Sequence, residues 1–129
     1  MNTKVIFFPV KTTSAKLIRI TDIAAAHFQK GEPILFLVQD EAAWDFLDKL
    51  LWSTPAESFL PHPSKLIHIR HNLDDALGAV FNLCPAPLLK ESIKTLYELE
   101  DHTSPEKLKA SQERYHTYRS HELQIIVES

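Results

Sequence analysis

The sequence predicts an α/β fold: a mostly parallel sheet of about five strands, flanked by helices, with no nucleotide-binding loop. Two runs, Val5 to Phe8 and residues 34–38, are apolar at every position, as expected of strands covered on both faces. Helical patterns follow each of them, and strand–helix alternation favours right-handed βαβ crossovers. The third observation is the glycine count. Only Gly31 and Gly78 are present, which removes every loop that needs closely spaced glycines to cradle a phosphate.

Taken in order, Val5-Ile6-Phe7-Phe8 reads as a central strand. From residue 14 to residue 30 the apolar positions Leu17, Ile20, Ala24 and Phe28 recur at helical spacing, and Lys30-Gly31 supplies a basic last turn and a left-handed cap. Glu32-Pro33 restarts the chain into the second strand, and Asp40 caps a helix running to about Trp52. Pro55, Pro61 and Pro63 make residues 55–64 a loop or a single short turn. Residues 66–69 and 79–83 read as strands separated by the polar residues 72–75, and Pro85 and Pro87 end the second of them. Residues 88–93 suit a short helix, and residues 95–99 suit a strand or a continuation of that helix; the strand is the reading adopted. Ser104-Pro105-Glu106 is a strong helix start for a segment reaching about Arg119. Residues 123–127 form a last short strand or a tail.

At 129 residues the chain suits one domain, residues 1–129. Its 44% hydrophobic content is that of an ordinary globular protein. The formal net charge of −3 argues against a whole-surface polyanion binder, which is usually basic. The single Cys84 has no disulfide partner, and no segment reads as a signal peptide or a membrane span. A soluble, cytoplasmic protein is the expectation.

Chemistry-bearing patterns are sparse. His62, His68 and His71 lie near one another in sequence, yet their spacing fits no zinc motif, so no metal is expected. Ser58 lacks a nucleophile elbow, and Cys84, placed between an apolar strand and a proline, suits an inert thiol. Two segments carry more weight. Residues 51–62 put Trp52 and Phe59 beside Pro55 and Pro61, a rigid, aromatic stretch suited to partner binding or to closing the core. On the last helix, Arg114 and Tyr118 stand four apart, as do Tyr115 and Arg119, mixing cations and rings on a narrow surface or a solvated face.

Those two segments also carry a resemblance. Asp40-Glu41 through Leu47-Asp48 to Leu51-Trp52, then Pro55-Ala56-Glu57-Ser58-Phe59 and Pro61-His62, resembles the signature of the chi subunit family of bacterial DNA polymerase III. Glu113-Arg114-Tyr115, followed by Tyr118-Arg119, is similar to that family's C-terminal helix, and Ile23-Ala24-Ala25 through Gly31 extends the similarity. The resemblance implies a non-catalytic adaptor with a three-layer, Rossmann-like fold and no cofactor. Its implied partners are the psi subunit of the clamp loader, or in some members a helicase, and the acidic C-terminal tail of single-stranded DNA-binding protein, with DNA contact mainly indirect and no membrane. Trp52, Phe59 and Pro61 match the partner-facing motif, and Arg114, Tyr115 and Arg119 match parts of the tail-binding helix. Leu108, Gln112 and His116 stand where better known members carry basic residues, leaving Lys107 and Lys109 as substitutes. The chain is also shorter than those members at its C-terminus and between its third and fourth strands. Two other classes remain open: a small enzyme acting on a phosphorylated or nucleotide substrate, and a direct single-strand binder.

Overall fold

The structure is a computed structural model that describes residues 2–52, 66–73 and 78–128. Among these, six strands and three helices follow in the order β1 (Lys4–Val10), α1 (Thr13–Lys30), β2 (Ile34–Leu37), α2 (Glu41–Trp52), β3 (Ile67–Arg70), β4 (Ala79–Asn82), β5 (Thr95–Asp101), α3 (Pro105–Ser120) and β6 (Gln124–Val127). The strands form one sheet in the order β3-β2-β4-β5-β1-β6, and every pairing is parallel. The sheet is thus one strand larger than the sequence suggests. Residues 124–127, left open between strand and tail, pair along β1 from Lys4↔Gln124 to Phe7↔Val127.

Each helix begins where local chemistry directs. The Thr12 hydroxyl accepts from Ala15 N at 3.0 Å, and a carboxylate oxygen of Asp40 accepts from Ala43 N at 2.9 Å. The Ser104 hydroxyl accepts from Lys107 N at 3.2 Å, with Pro105 opening α3 behind it. Gly31 ends α1 at φ 69°, a left-handed conformation that a residue without Cβ adopts freely. The stretch between β4 and β5 forms no helix. Residues 83–94 are irregular, and the chain becomes extended at Thr95.

Alternation along the strands divides the interior into two cores. One face of the sheet contributes Phe8, Val10, Ile34, Phe36, Ile69, Phe81 and Leu99, and buries Ile20 and Ala24 of α1 with Leu47 and Leu51 of α2. The other face contributes Val5, Phe7, Leu35, Leu37, Val80 and Leu96, and packs Tyr118 of α3 with Ile93, Leu88 and Leu73 from the irregular connections. Two helices therefore cover the first face. Among the described residues, one helix and parts of two irregular connections cover the second.

Phe81 stands at the centre of the first core. It is fully buried, with its ring 5.5 Å from Phe36, 5.7 Å from Tyr97 and 6.4 Å from Phe8. Truncating Phe81→Ala should lower the unfolding free energy by about 3–5 kcal/mol, as deletion of a packed aromatic does. Urea denaturation checks this, and a loss below about 1 kcal/mol would show a core loose enough to collapse around the gap.

Candidate functional site: the crevice at the carboxyl ends of the strands

The carboxyl ends of the strands meet the amino ends of all three described helices, and a crevice of about 360 Å³ opens there. Leu17 and Ile20 of α1 and Ala43, Phe46, Leu47 and Leu50 of α2 form one wall. Asn82, Leu83, Cys84 and Pro85 form the base where β4 ends, and Lys107, Ala110 and Arg114 of α3 form the opposite wall. The lining is mostly apolar. Phe46 stands 55% exposed at this site, an uncommon state for a phenylalanine.

Beneath the crevice lies a polar network that joins β4, β5 and α3. Glu98, in the middle of β5, is fully buried on the α3 side of the sheet. One of its oxygens accepts from Arg114 Nε at 2.9 Å. The other accepts from Asn82 Nδ2 at 2.8 Å and from the Tyr118 hydroxyl. Tyr118 in turn accepts from Leu88 N at 3.0 Å. The rest of the Arg114 guanidinium donates to the carbonyls of Pro85 and Leu99 and to the Ser111 hydroxyl. Burial pushes the Glu98 carboxyl up to about 7, against the pull of Arg114 and the hydroxyl and amide donors. The same burial, reinforced by the Glu98 charge, raises the Tyr118 phenol.

A second ion pair borders the crevice. Lys16 Nζ of α1 lies 2.7 Å from Asp101 Oδ2 at the end of β5, and Asp101 also accepts from the backbone and hydroxyl of Thr103. Burial alone would raise this carboxyl, but the bonds from Lys16 and Thr103 outweigh it and hold it below its usual value. Burial and the neighbouring Glu98 push the Cys84 thiol up, so the thiol stays protonated and weakly nucleophilic at neutral pH.

Of the residues singled out in the sequence, those that are described do not gather on one surface. Tyr118 and Arg114 share a face of α3 as their spacing predicts, but that face is turned inward: Tyr118 is fully buried and Arg114 is 6% exposed. This corrects the expectation of Arg114 as a free surface cation, since its guanidinium is committed to Glu98. Tyr115 is half-buried, with its ring 5.6 Å from Phe7, and Arg119 Nη1 reaches its hydroxyl at 3.4 Å on the outer side. Lys107 and Lys109 are exposed, Lys107 on the crevice wall. Phe59, Pro61, Ser58 and His62 lie outside the described residues, as does the side chain of Trp52. His71 sits 3.5 Å from Glu41, and the His68 ring 3.4 Å from Arg70. Among the described residues no His, Cys, Asp or Glu group could hold a metal. Glu98 and Asn82 escaped the sequence reading. The available signal was a lone acid between Leu96 and Leu99 of a strand, with Arg114 and Tyr118 one helical turn apart to receive it.

The Glu98 shift fixes the sign of a pH effect. With its folded value near 7 above an unfolded value of about 4.5, the folded state binds the extra proton between those limits. This group's contribution is complete below pH 4.5 and declines as pH rises to about 7. Denaturation series across that window should show the wild type losing stability relative to Glu98→Gln as pH rises. A relative gain would mean that the ionised form is the favoured one.

Comparison with known proteins accords with this architecture. The family described as DNA polymerase III chi subunit, HolC, matches residues 2–126. DNA polymerase III subunit chi of Escherichia coli K12 is 42% identical over 43 residues, which is 33% of this chain and 29% of that protein. That alignment spans less than a third of the relative's length. No helix among the described residues is long and apolar enough to cross a membrane. With the family matched over almost its whole length, the chain belongs to the DNA polymerase III chi subunit family.

Proposed function

We propose that this protein is a non-catalytic accessory subunit of the DNA polymerase III holoenzyme. It links a psi-like subunit of the clamp loader to the acidic tail of single-stranded DNA-binding protein. The observation that carries the reading is the family match over residues 2–126. The geometry is in keeping with it. In an open α/β sheet a nucleotide sits at the carboxyl ends of the strands against glycine-rich turns, whereas here that place is an apolar crevice. Gly31 closes α1 and Gly78 precedes β4, so both stand at the amino ends of strands.

The psi-like partner, or a helicase in its place, is assigned to Trp52, Phe59 and Pro61. The tail is assigned to α3, where Tyr115, Arg119 and Lys109 offer an apolar ring and two cations on the outer side. Lys107 offers a cation toward the crevice, which Arg114 also lines with its guanidinium paired to Glu98. Arginine suits a carboxylate because its planar fork makes two parallel hydrogen bonds.

Three outcomes are expected. Tagged protein passed through native lysate should recover clamp-loader components and single-stranded DNA-binding protein; recovery of neither defeats the reading. Trp52→Ala or Phe59→Ala should weaken the psi-like complex by about 2 kcal/mol or more, as central interface aromatics do, with smaller change in melting temperature. Calorimetry with ATP and Mg²⁺ should show no binding near micromolar, where association is worth roughly 8 kcal/mol, and such binding would revive the enzyme reading.

A further inference from the structure

We infer that the free edge of β6 pairs antiparallel with the same edge of a second copy of this chain, joining two sheets across a two-fold axis at Ile126. The inference is independent of the adaptor reading, since no residue of β6 lines the crevice.

The sheet has two edges, β3 and β6, and their outward backbone groups differ. In β3 the Leu66 and Arg70 carbonyls accept from Ile34 N and Val38 N of the neighbouring strand, so Ile69 turns its carbonyl outward. That carbonyl is already taken, by Trp44 Nε1 and Arg70 Nη1, each at 3.0 Å. In β6, Glu128 N donates to the Phe7 carbonyl at 2.9 Å; counting back by twos, Ile126 and Gln124 also face β1, and Ile125 and Val127 turn their N–H and C=O groups outward. No described residue bonds them. Edge strands are ordinarily guarded by lysine, proline or a bulge, whereas β6 reads Gln-Ile-Ile-Val, with Ile125 and Ile126 half-buried and Val127 53% exposed.

One register satisfies both outward residues. Setting Ile126 against the second copy's Ile126 places Ile125 opposite Val127 in both directions, and each of those pairs exchanges both of its N–H···O bonds. Centring on Ile125 would set Val127 against Leu123, whose N–H is committed to the Tyr118 carbonyl at 3.2 Å. Centring on Val127 would set Ile126 against Glu128, an apolar side chain against a carboxylate. The charges select the same register, and with it a second copy over an unrelated strand. It brings the second copy's Glu128 across from Gln124, whose neighbour on the other side is Lys4 of β1. Neither Lys4 nor Glu128 has an ion pair with a described residue, and two strand spacings, about 10 Å, lie between them, within the joint reach of their side chains. The two-fold makes that pair twice.

The seam is short. It covers less than the roughly 800 Å² per partner of a standard stable complex, so a dissociation constant on the order of 100 μM is expected. Because the strands of the two copies run in opposite directions, their crevices open at opposite ends of the joined sheet. One dimer thus presents two crevices facing apart.

Sedimentation velocity from about 10 μM to about 1 mM, with amide exchange read by NMR at both ends of that range, tests the pairing. The sedimentation coefficient should rise from monomer toward dimer. The outward Ile125 and Val127 amides should exchange about fivefold more slowly at the upper concentration, where such a dimer leaves about a fifth of the chains free, while the inward Ile126 amide should not change. Val127→Pro removes an outward donor and no bond of the β1–β6 ladder, so it should abolish the dimer and keep the melting temperature. Glu128→Lys sets like charges together and should weaken association about tenfold, and adding Lys4→Glu should restore it.

A chain that stays monomeric to about 1 mM, well above the expected constant, overturns the inference. So does a dimer that survives Val127→Pro, which forms through another face, and so does one indifferent to Glu128→Lys, whose register differs. Slowed exchange of the β6 amides that appears only when lysate is added assigns the edge to a strand from a different protein, and self-pairing then fails.

Discussion

A parallel strand can rejoin its sheet only through a crossover, and a crossover is nearly always right-handed. Direction of travel across the sheet therefore decides which face each connection covers. From β1 to β2 and from β2 to β3 the chain moves toward one edge, and α1 and α2 share the first core. From β3 to β4, from β4 to β5 and from β5 to β6 it moves toward the other edge, and those connections share the second core. The reversal parts the connections that leave neighbouring strands β2 and β4. One goes above the sheet and one below, and the crevice is the gap between them.

The second face has an unusual burden, because α3 is the one helix on it among the described residues. A helix whose inward positions include Arg114, Ser111 and Tyr118 cannot seat itself by apolar burial alone. Glu98 solves this by placing a carboxylate where three donors from α3 and β4 converge. Such a pair gains little over a well-packed apolar substitute, yet removing one partner strands the other's charge. Its value is positional. The guanidinium is pinned to β5 on one side and to the Pro85 and Leu99 carbonyls on the other, which fixes the angle at which α3 borders the crevice.

Much of this was legible in the sequence, and the reasons differ by element. The uniformly apolar runs of β1 and β2 marked strands buried on both faces, and Thr95 to Leu99 was recovered despite its weak alternation. The helix ends followed from capping residues whose side chains make the expected bonds at Asp40 and Ser104. Helical spacing alone placed Arg114 and Tyr118 together correctly but could not say which way their face turned. Cations are ordinarily solvated, and only the position of Glu98 on a neighbouring strand reverses that preference. Parallel register was equally hidden, because it is set by crossovers rather than by any local pattern. The crevice itself has no sequence signature. It is a gap between connections, and gaps leave no residues of their own.

The inward turn of Arg114 also reorganises the meaning of α3. A row of cations along one outer face would present a single surface to a polyanion, and its binding would fall steeply with salt. Here the cations are divided: Lys109 and Arg119 stand in solvent, Lys107 stands at the crevice, and Arg114 is spent within. Long-range attraction on the outer side is correspondingly weak, since two exposed charges are easily screened. Specificity in such a helix must come from what lies beside the charges. That is Tyr115 packed on Phe7 outside, and the apolar walls of α1 and α2 inside. Burial of an apolar group is far less sensitive to salt than a surface ion pair is.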